Sequence, residues 1–117
     1  IPNVVVLTGD EHVNYAGEVH LDSRRPDSNP VAVEFTSTSI SSGGDGQDLS
    51  PNDQAVRSAN AALKFVNRQR GFMLCNVTKD RWETSVRVLD KVSQPDGEIA
   101  TRATLNVVSG WNRVTIG

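Results

Sequence analysis

The chain has 117 residues, of which 37% are hydrophobic and 22% are charged, so it can form one compact unit with a lean core. Its formal net charge of -2 provides no basic field of the kind that binds nucleic acid. A single cysteine excludes an internal disulfide, and no apolar run reaches the length of a membrane span. We therefore expect no specific nucleic-acid partner and no membrane-spanning partner.

The first predicted element is a buried strand close to the start of the chain. Residues 4–7 are all apolar, three of them are β-branched, and the pair Thr8-Gly9 ends the run. The strand begins without a preceding cap or turn. We therefore expect the chain to be a piece of a longer protein.

A second strand, a long loop and one helix are predicted in the middle of the chain. Apolar and polar residues alternate over residues 31–36, as in a half-buried strand, and the run STSISSGGDG at 37–46 is typical of a loop. Residues 50–53 then supply a serine cap, a proline at the first helical position and an acid in the first turn. This pattern predicts a helix that extends through Ala62.

The last third of the chain is predicted to consist of strands. Apolar runs separated by turn residues predict strands near 72–77, 82–89 and 101–108, with Cys75 as a buried thiol in the first of them. Short connections require these strands to pair antiparallel, because a parallel pair needs a long crossover. The predicted fold class is therefore α+β and β-rich, with mainly antiparallel strands and one central helix.

Asp10 and His12 directly follow the first strand and lie two residues apart. Carboxylate and neutral imidazole are ligands for hard and borderline metal ions, and loops at strand ends often carry catalytic groups. Two donors do not hold a metal by themselves, since catalytic sites have at least three protein ligands. The residues alone leave two interpretations open: half of a metal site, or ordinary polar loop residues.

Four segments, taken in order, resemble the PhoD-like alkaline phosphatase and phosphodiesterase family. The string LTGDEHVNYAGEV, residues 7–19, resembles the family's last metal-binding segment, a Gly-Asp-x-His motif followed by asparagine and an aromatic residue. Residues 30–44 are similar to its strand and Gly-rich loop, 63–72 to its Arg-Gly-aromatic segment, and 77–82 to the turn into its tryptophan strand. The matches cover nearly the whole chain.

Two departures from the family pattern are visible. The chain has Asn60-Ala61-Ala62 where the family often has Asn-Pro-His, and it has Tyr15 where tryptophan is common. Any role of that proline and histidine is absent here, whereas tyrosine keeps an amphipathic ring.

The resemblance implies part of a metallophosphoesterase-type β-sandwich flanked by helices. Residues 1–117 would form a single unit, the C-terminal portion of a longer phosphatase domain whose other metal ligands lie upstream. Asp10 and His12 would be its last metal ligands, with His12 assigned to ferric iron and Asp10 to calcium. Asn14 and Tyr15 would orient those ligands or contact the substrate.

The function implied by the resemblance is hydrolysis of phosphate monoesters or diesters by a secreted or cell-envelope enzyme. The N-terminal part of the same parent chain would then be the partner, and the catalytic set in this chain alone would be incomplete and inactive. The alternative is a non-catalytic β-rich binding module. A fragment should leave a large apolar face uncovered, whereas a module should have a closed core.

Overall fold

The computed structural model describes residues 3–22, 24–25 and 28–116, which form two β-sheets and one helix. In chain order the elements are β1 (Val4–Thr8), β2 (Asn14–Val19), β3 (Ala32–Thr36), α1 (Pro51–Ala59), β4 (Leu63–Asn67), β5 (Gly71–Val77), β6 (Arg81–Leu89), β7 (Ile99–Val108) and β8 (Thr115–Ile116). The first sheet has the strand order β1-β3-β2-β4, and the second has the order β5-β6-β7-β8. The predicted β-rich α+β class is confirmed.

The first sheet is mixed, and the second is wholly antiparallel. β1 pairs parallel with β3, whereas β2 lies antiparallel between β3 and β4. The parallel pair is possible because the chain between β1 and β3 is long enough to include β2. In the second sheet, short turns join the neighbouring strands β5, β6 and β7, as the sequence predicted.

The helix begins as predicted but ends earlier. Ser50 Oγ accepts a hydrogen bond from the Asp53 backbone N–H at 3.0 Å, and the Asp53 carboxylate accepts one from the Ser50 N–H at 3.3 Å. The helix stops at Ala59 because Asn60 adopts an extended conformation (φ -132°, ψ 97°). The extension to Ala62 was wrong, because β4 follows immediately and pairs with β2.

The core lies between the two sheets. Buried apolar side chains of both sheets meet there, together with Val114 just before β8: Ala16, Val33, Phe35, Phe65, Val86, Val88, Leu105 and Val107. Phe35 stacks on Trp82 with ring centroids 6.4 Å apart and an interplanar angle of 11°. The helix adds no apolar side chain to this core, since its one buried residue is Asp53.

Apolar side chains remain uncovered on the outer strands. On β1, Val6 is 39% exposed and Leu7 is 60% exposed, so the prediction that this strand is buried was wrong. The reason is that β1 is an outer strand, paired only with β3 in the described sheet. On β5, Leu74 is 59% exposed. Cys75 is also exposed, so the prediction of a buried thiol was wrong. The physical reason is its place on β5, an outer strand with a neighbour on one side only in the described sheet. In the described part of the chain, no helix is long and apolar enough to cross a membrane.

Candidate metal-binding loop

Three connections meet at one edge of the first sheet. β1 and β3 run parallel, so both end at this edge, and the antiparallel β2 begins there. β4 also ends at this edge, because Asn14 of β2 is paired with Asn67. The connections 9–13, 37–50 and 68–70 are therefore neighbours in space, although they are far apart in sequence.

Asp10 and His12 lie in the first of these connections, in a strained backbone conformation. Their φ angles are 76° and 58°, in the left-handed region that few residues other than glycine occupy. Both residues are exposed, and within the described residues neither side chain has a hydrogen-bond or ion-pair partner. Strained loops that present free donor atoms are often found at ligand sites.

The His12 imidazole packs against the Gly-rich loop of residues 37–46. An alanine Cβ placed at Gly43 would lie 3.3 Å from His12 Nδ1 and 3.5 Å from Arg70 Nη1. Gly43 also has a φ of 92°, which glycine adopts without strain. The loop therefore approaches His12 closely because a glycine stands at this position.

Arg70 attaches this loop to the connection between β4 and β5. Its side chain is buried, and Nη1 donates to Ser39 Oγ at 2.9 Å and to the Ser42 carbonyl at 3.2 Å. Nη2 donates to the Arg68 carbonyl at 2.6 Å. Among the described residues, Arg70 has no carboxylate within ion-pair distance, and its buried Nε–H has no acceptor. The guanidinium thus joins the loop to the β4–β5 connection.

Asn14 joins the three connections directly. It is completely buried, and its amide donates to Asn67 Oδ1 at 3.1 Å and to the Gln69 carbonyl at 3.4 Å. Its Oδ1 accepts the backbone N–H of Thr38 at 3.1 Å. The side chain therefore orients the loops that surround His12, and all of its polar atoms have partners within the chain.

Tyr15 points to the opposite face of the first sheet, because successive side chains of a strand alternate. It is half-buried and lines a cavity of about 340 Å³ between this sheet and α1. Glu34, Val56 and Leu63 lie on the same cavity. The structure therefore separates Tyr15 from Asn14, although the two are adjacent in sequence.

Two carboxylates anchor the connection 37–50: Asp45 within it and Asp53 in the first turn of the helix that follows it. Asp45 accepts backbone hydrogen bonds from Val92 at 2.6 Å and Ser93 at 2.8 Å, and these bonds lower the pKa of Asp45. Asp53 accepts two bonds from Arg68, at 2.7 and 2.9 Å. The Arg68 hydrogen bonds lower the pKa of Asp53 to about 2, although burial of the carboxylate opposes the shift.

Asp10 and His12 do not by themselves make a complete metal site. In the described part of the chain, no three His, Cys, Asp or Glu side chains form a group that could hold a metal ion. The loop does offer one carboxylate and one imidazole, neither of which has a side-chain partner among the described residues. A metal bound there needs further ligands from outside these residues, because catalytic sites have at least three protein ligands.

Sequence reasoning missed the structural roles of Gly43 and Arg70. Gly43 stood within a run of serine and glycine that is typical of any loop, and Arg70 suggested either attraction of an anionic substrate or an ordinary surface residue beside a strand. The available signal was the Arg-Gly pair at Arg70 and Gly71 within the family-like segment. Only the fold shows that Arg70 is buried beneath Gly43.

Comparison with known proteins identifies the family to which this chain belongs. Residues 1–86 match the family described as PhoD-like phosphatase. The chain belongs to the PhoD-like phosphatase family, and the resemblance stated above is confirmed.

Two individual relatives are similar over most of the chain. Alkaline phosphatase D of Bacillus subtilis (strain 168) is 39% identical over 102 residues, which are 87% of this chain and 18% of that protein. A solved structure of PhoD superposes with a TM-score of 0.91 at 34% identity, covering 97% of this chain and 22% of that one. The chain therefore spans less than a quarter of either relative's length.

Proposed function

We propose that this chain is the C-terminal part of a metal-dependent phosphoric ester hydrolase, and that the loop after β1 supplies its last two metal ligands. The longer protein is called the parent protein below. One observation carries the proposal: in a chain of this family, Asp10 and His12 are free donors in a strained loop at the edge where three connections meet. Residues 1–117 form one unit within the parent.

The proposed roles follow from the chemistry of each side chain. His12 would bind ferric iron through its imidazole, and Asp10 would bind calcium through its carboxylate. When bound, such ions lower the pKa of a coordinated water and neutralise the oxygens of a phosphate ester. Asn14 orients the loops around these donors, and Tyr15 stays a predicted substrate or positioning residue on the other face of the sheet.

Two further observations support a part of a larger enzyme over a binding module. Val6, Leu7 and Leu74 lie on strands whose outer sides are bare, whereas a self-sufficient module should cover such residues. The two donors also fall short of a complete site. We therefore propose that the rest of the parent covers these strands and adds the other ligands, and that the isolated chain is inactive.

The substrate and location are proposed from the family resemblance. The substrate would be a phosphate monoester or diester, and the parent would be secreted or located in the cell envelope. Alkaline phosphatase D of Bacillus subtilis supports the first of these proposals by its name. The geometry of the loop favours neither ester class.

The test uses the intact parent protein and its variants His12→Ala, Asp10→Asn and Glu11→Gln. Glu11 is the matched control, since it is exposed in the same loop and has no proposed ligand role. We expect His12→Ala and Asp10→Asn to lose bound metal and the hydrolysis of a nitrophenyl phosphate monoester and diester, while Glu11→Gln keeps both. Retention of metal and activity in His12→Ala would contradict the proposal.

A further inference from the structure

We infer that Gly43 is a positioning residue for His12: the loop that Arg70 clamps restricts the His12 imidazole to an orientation ready to bind metal. The inference rests on the proposed function, because it takes His12 as a ligand. It adds two residues, Gly43 and Arg70, that hold the ligand without touching the substrate.

The close contact between Gly43 and His12 is the first step. His12 is exposed and has no hydrogen bond within the described residues, so its ring would otherwise sample several rotamers. Gly43 occupies one side of the ring, since a Cβ there would come within 3.3 Å of Nδ1. Packing on one side lowers the number of orientations that remain, and a ligand that is already oriented binds more tightly.

The rigidity of the loop is the second step. The segment from Ser39 to Gly43 is attached at several points: Ser39 Oγ accepts from Arg70 and donates to the Ser42 carbonyl at 2.7 Å. The Ser39 carbonyl also accepts the N–H of Gly71 at 3.0 Å. Burial of the Arg70 guanidinium partly shields the bonds that it donates from water, which strengthens them. The loop can therefore keep a fixed position beside the His12 imidazole.

Gly44 provides a matched control for Gly43. Its φ is 81°, close to the 92° of Gly43, so alanine should cost similar backbone strain at both positions. No atom lies within 4 Å of a Cβ placed at Gly44, whereas His12 and Arg70 lie against a Cβ at Gly43. A difference between the two alanine variants therefore reports the contacts with His12 and Arg70 and not the backbone strain.

The first experiment compares Gly43→Ala, Gly44→Ala and His12→Ala in the parent protein. Iron and calcium affinities are measured by competition with a chelator, and the stability of the metal-free protein by thermal unfolding. Both glycine variants should lower metal-free stability to a similar extent. Gly43→Ala should in addition weaken iron binding by about tenfold, the effect expected when support of a ligand is lost.

The outcomes separate the inference from the proposed function. If His12→Ala binds metal as the wild type does, His12 is not a ligand, and both fail. If His12→Ala loses metal but Gly43→Ala and Gly44→Ala bind it equally, the proposed function stands and the positioning role of Gly43 is refuted.

If Gly43→Ala fails to fold, a second pair of variants tests whether the loop positions His12. Arg70→Lys disrupts the bonds to Ser39 and Ser42, whereas Arg113→Lys disturbs an ion pair with Glu18, near the other end of β2 from the loop. We expect Arg70→Lys to weaken iron binding by about tenfold and Arg113→Lys to leave it unchanged. Equal iron affinities in these two variants would overturn the inference.

Discussion

Replacing Asp53 with asparagine should loosen the first turn of α1 and the end of the long loop. Asp53 is buried, receives two hydrogen bonds from Arg68, and completes the capping box with Ser50. Asparagine keeps the volume of the side chain but removes the negative charge and replaces one acceptor oxygen with an N–H donor. The variant therefore removes the ion pair with Arg68 together with at least one of its hydrogen bonds.

The magnitude follows from the pKa of Asp53. A decrease from 3.8 to about 2 corresponds to about 2.5 kcal/mol of stabilisation at neutral pH. Because 36% of the Arg68 side chain is exposed, solvent screening reduces this value. We expect Asp53→Asn to destabilise the turn by about 1–2 kcal/mol, which also agrees with the usual effect of losing a helix cap.

Hydrogen exchange measured by mass spectrometry in the parent protein checks this prediction. Peptides covering residues 50–60 should exchange about tenfold faster in Asp53→Asn, since 1.4 kcal/mol is a factor of ten in an equilibrium constant. Asp96→Asn serves as the control, because the Asp96 side chain is 68% exposed and pairs with Lys91 at the surface. Unchanged exchange of 50–60 in Asp53→Asn would refute the assigned strength of the pair.

Three further predictions concern acid, the core and the site edge. The stabilisation by Asp53 should be complete above about pH 4 and lost as the pH falls through about 2, because its pKa is lowered in the folded state. The difference in exchange between wild type and Asp53→Asn should therefore be smaller at about pH 3 than at about pH 6; an equal difference would contradict it. Phe35→Ala should cost about 3–5 kcal/mol and lower the thermal unfolding midpoint, since Phe35 is 1% exposed and stacks on Trp82; an unchanged midpoint would contradict its place in the core. Asn14→Ala should lower the free energy of unfolding by about 1–3 kcal/mol, because the Thr38 N–H loses its acceptor, and hydrogen exchange in residues 37–46 should become faster. Unchanged exchange there would contradict the role of Asn14 in joining the three connections.

Several features of the fold could be predicted because they depend on neighbours in sequence. The capping box at Ser50 and Asp53 spans four residues, and the apolar run of β1 is contiguous, so both were visible as patterns. β2 was missed because Gly17 and Glu18 interrupt the alternation of apolar and polar residues. Its burial nevertheless alternates along the strand, since Glu18 is buried by its position in the sheet.

The candidate site was predictable to the same extent. Asp10 and His12 lie two residues apart at a strand end, and the family resemblance made them candidates. Arg70 could not be assigned, because its partners Ser39 and Ser42 are about thirty residues away in sequence. The distance in sequence, and not any weakness of the contact, kept this residue out of the prediction.

The sequence by itself determined the local chemistry of this protein: a carboxylate and an imidazole after a β-branched strand, and a capped helix behind a loop of serine and glycine. Tertiary structure decided which of these parts meet. The parallel pairing of β1 with β3 and the pairing of β2 with β4 bring three connections to one edge. At this edge Gly43 lies against His12. The two become neighbours because the register of the paired strands decides which distant residues meet, and that register depends on the whole sheet.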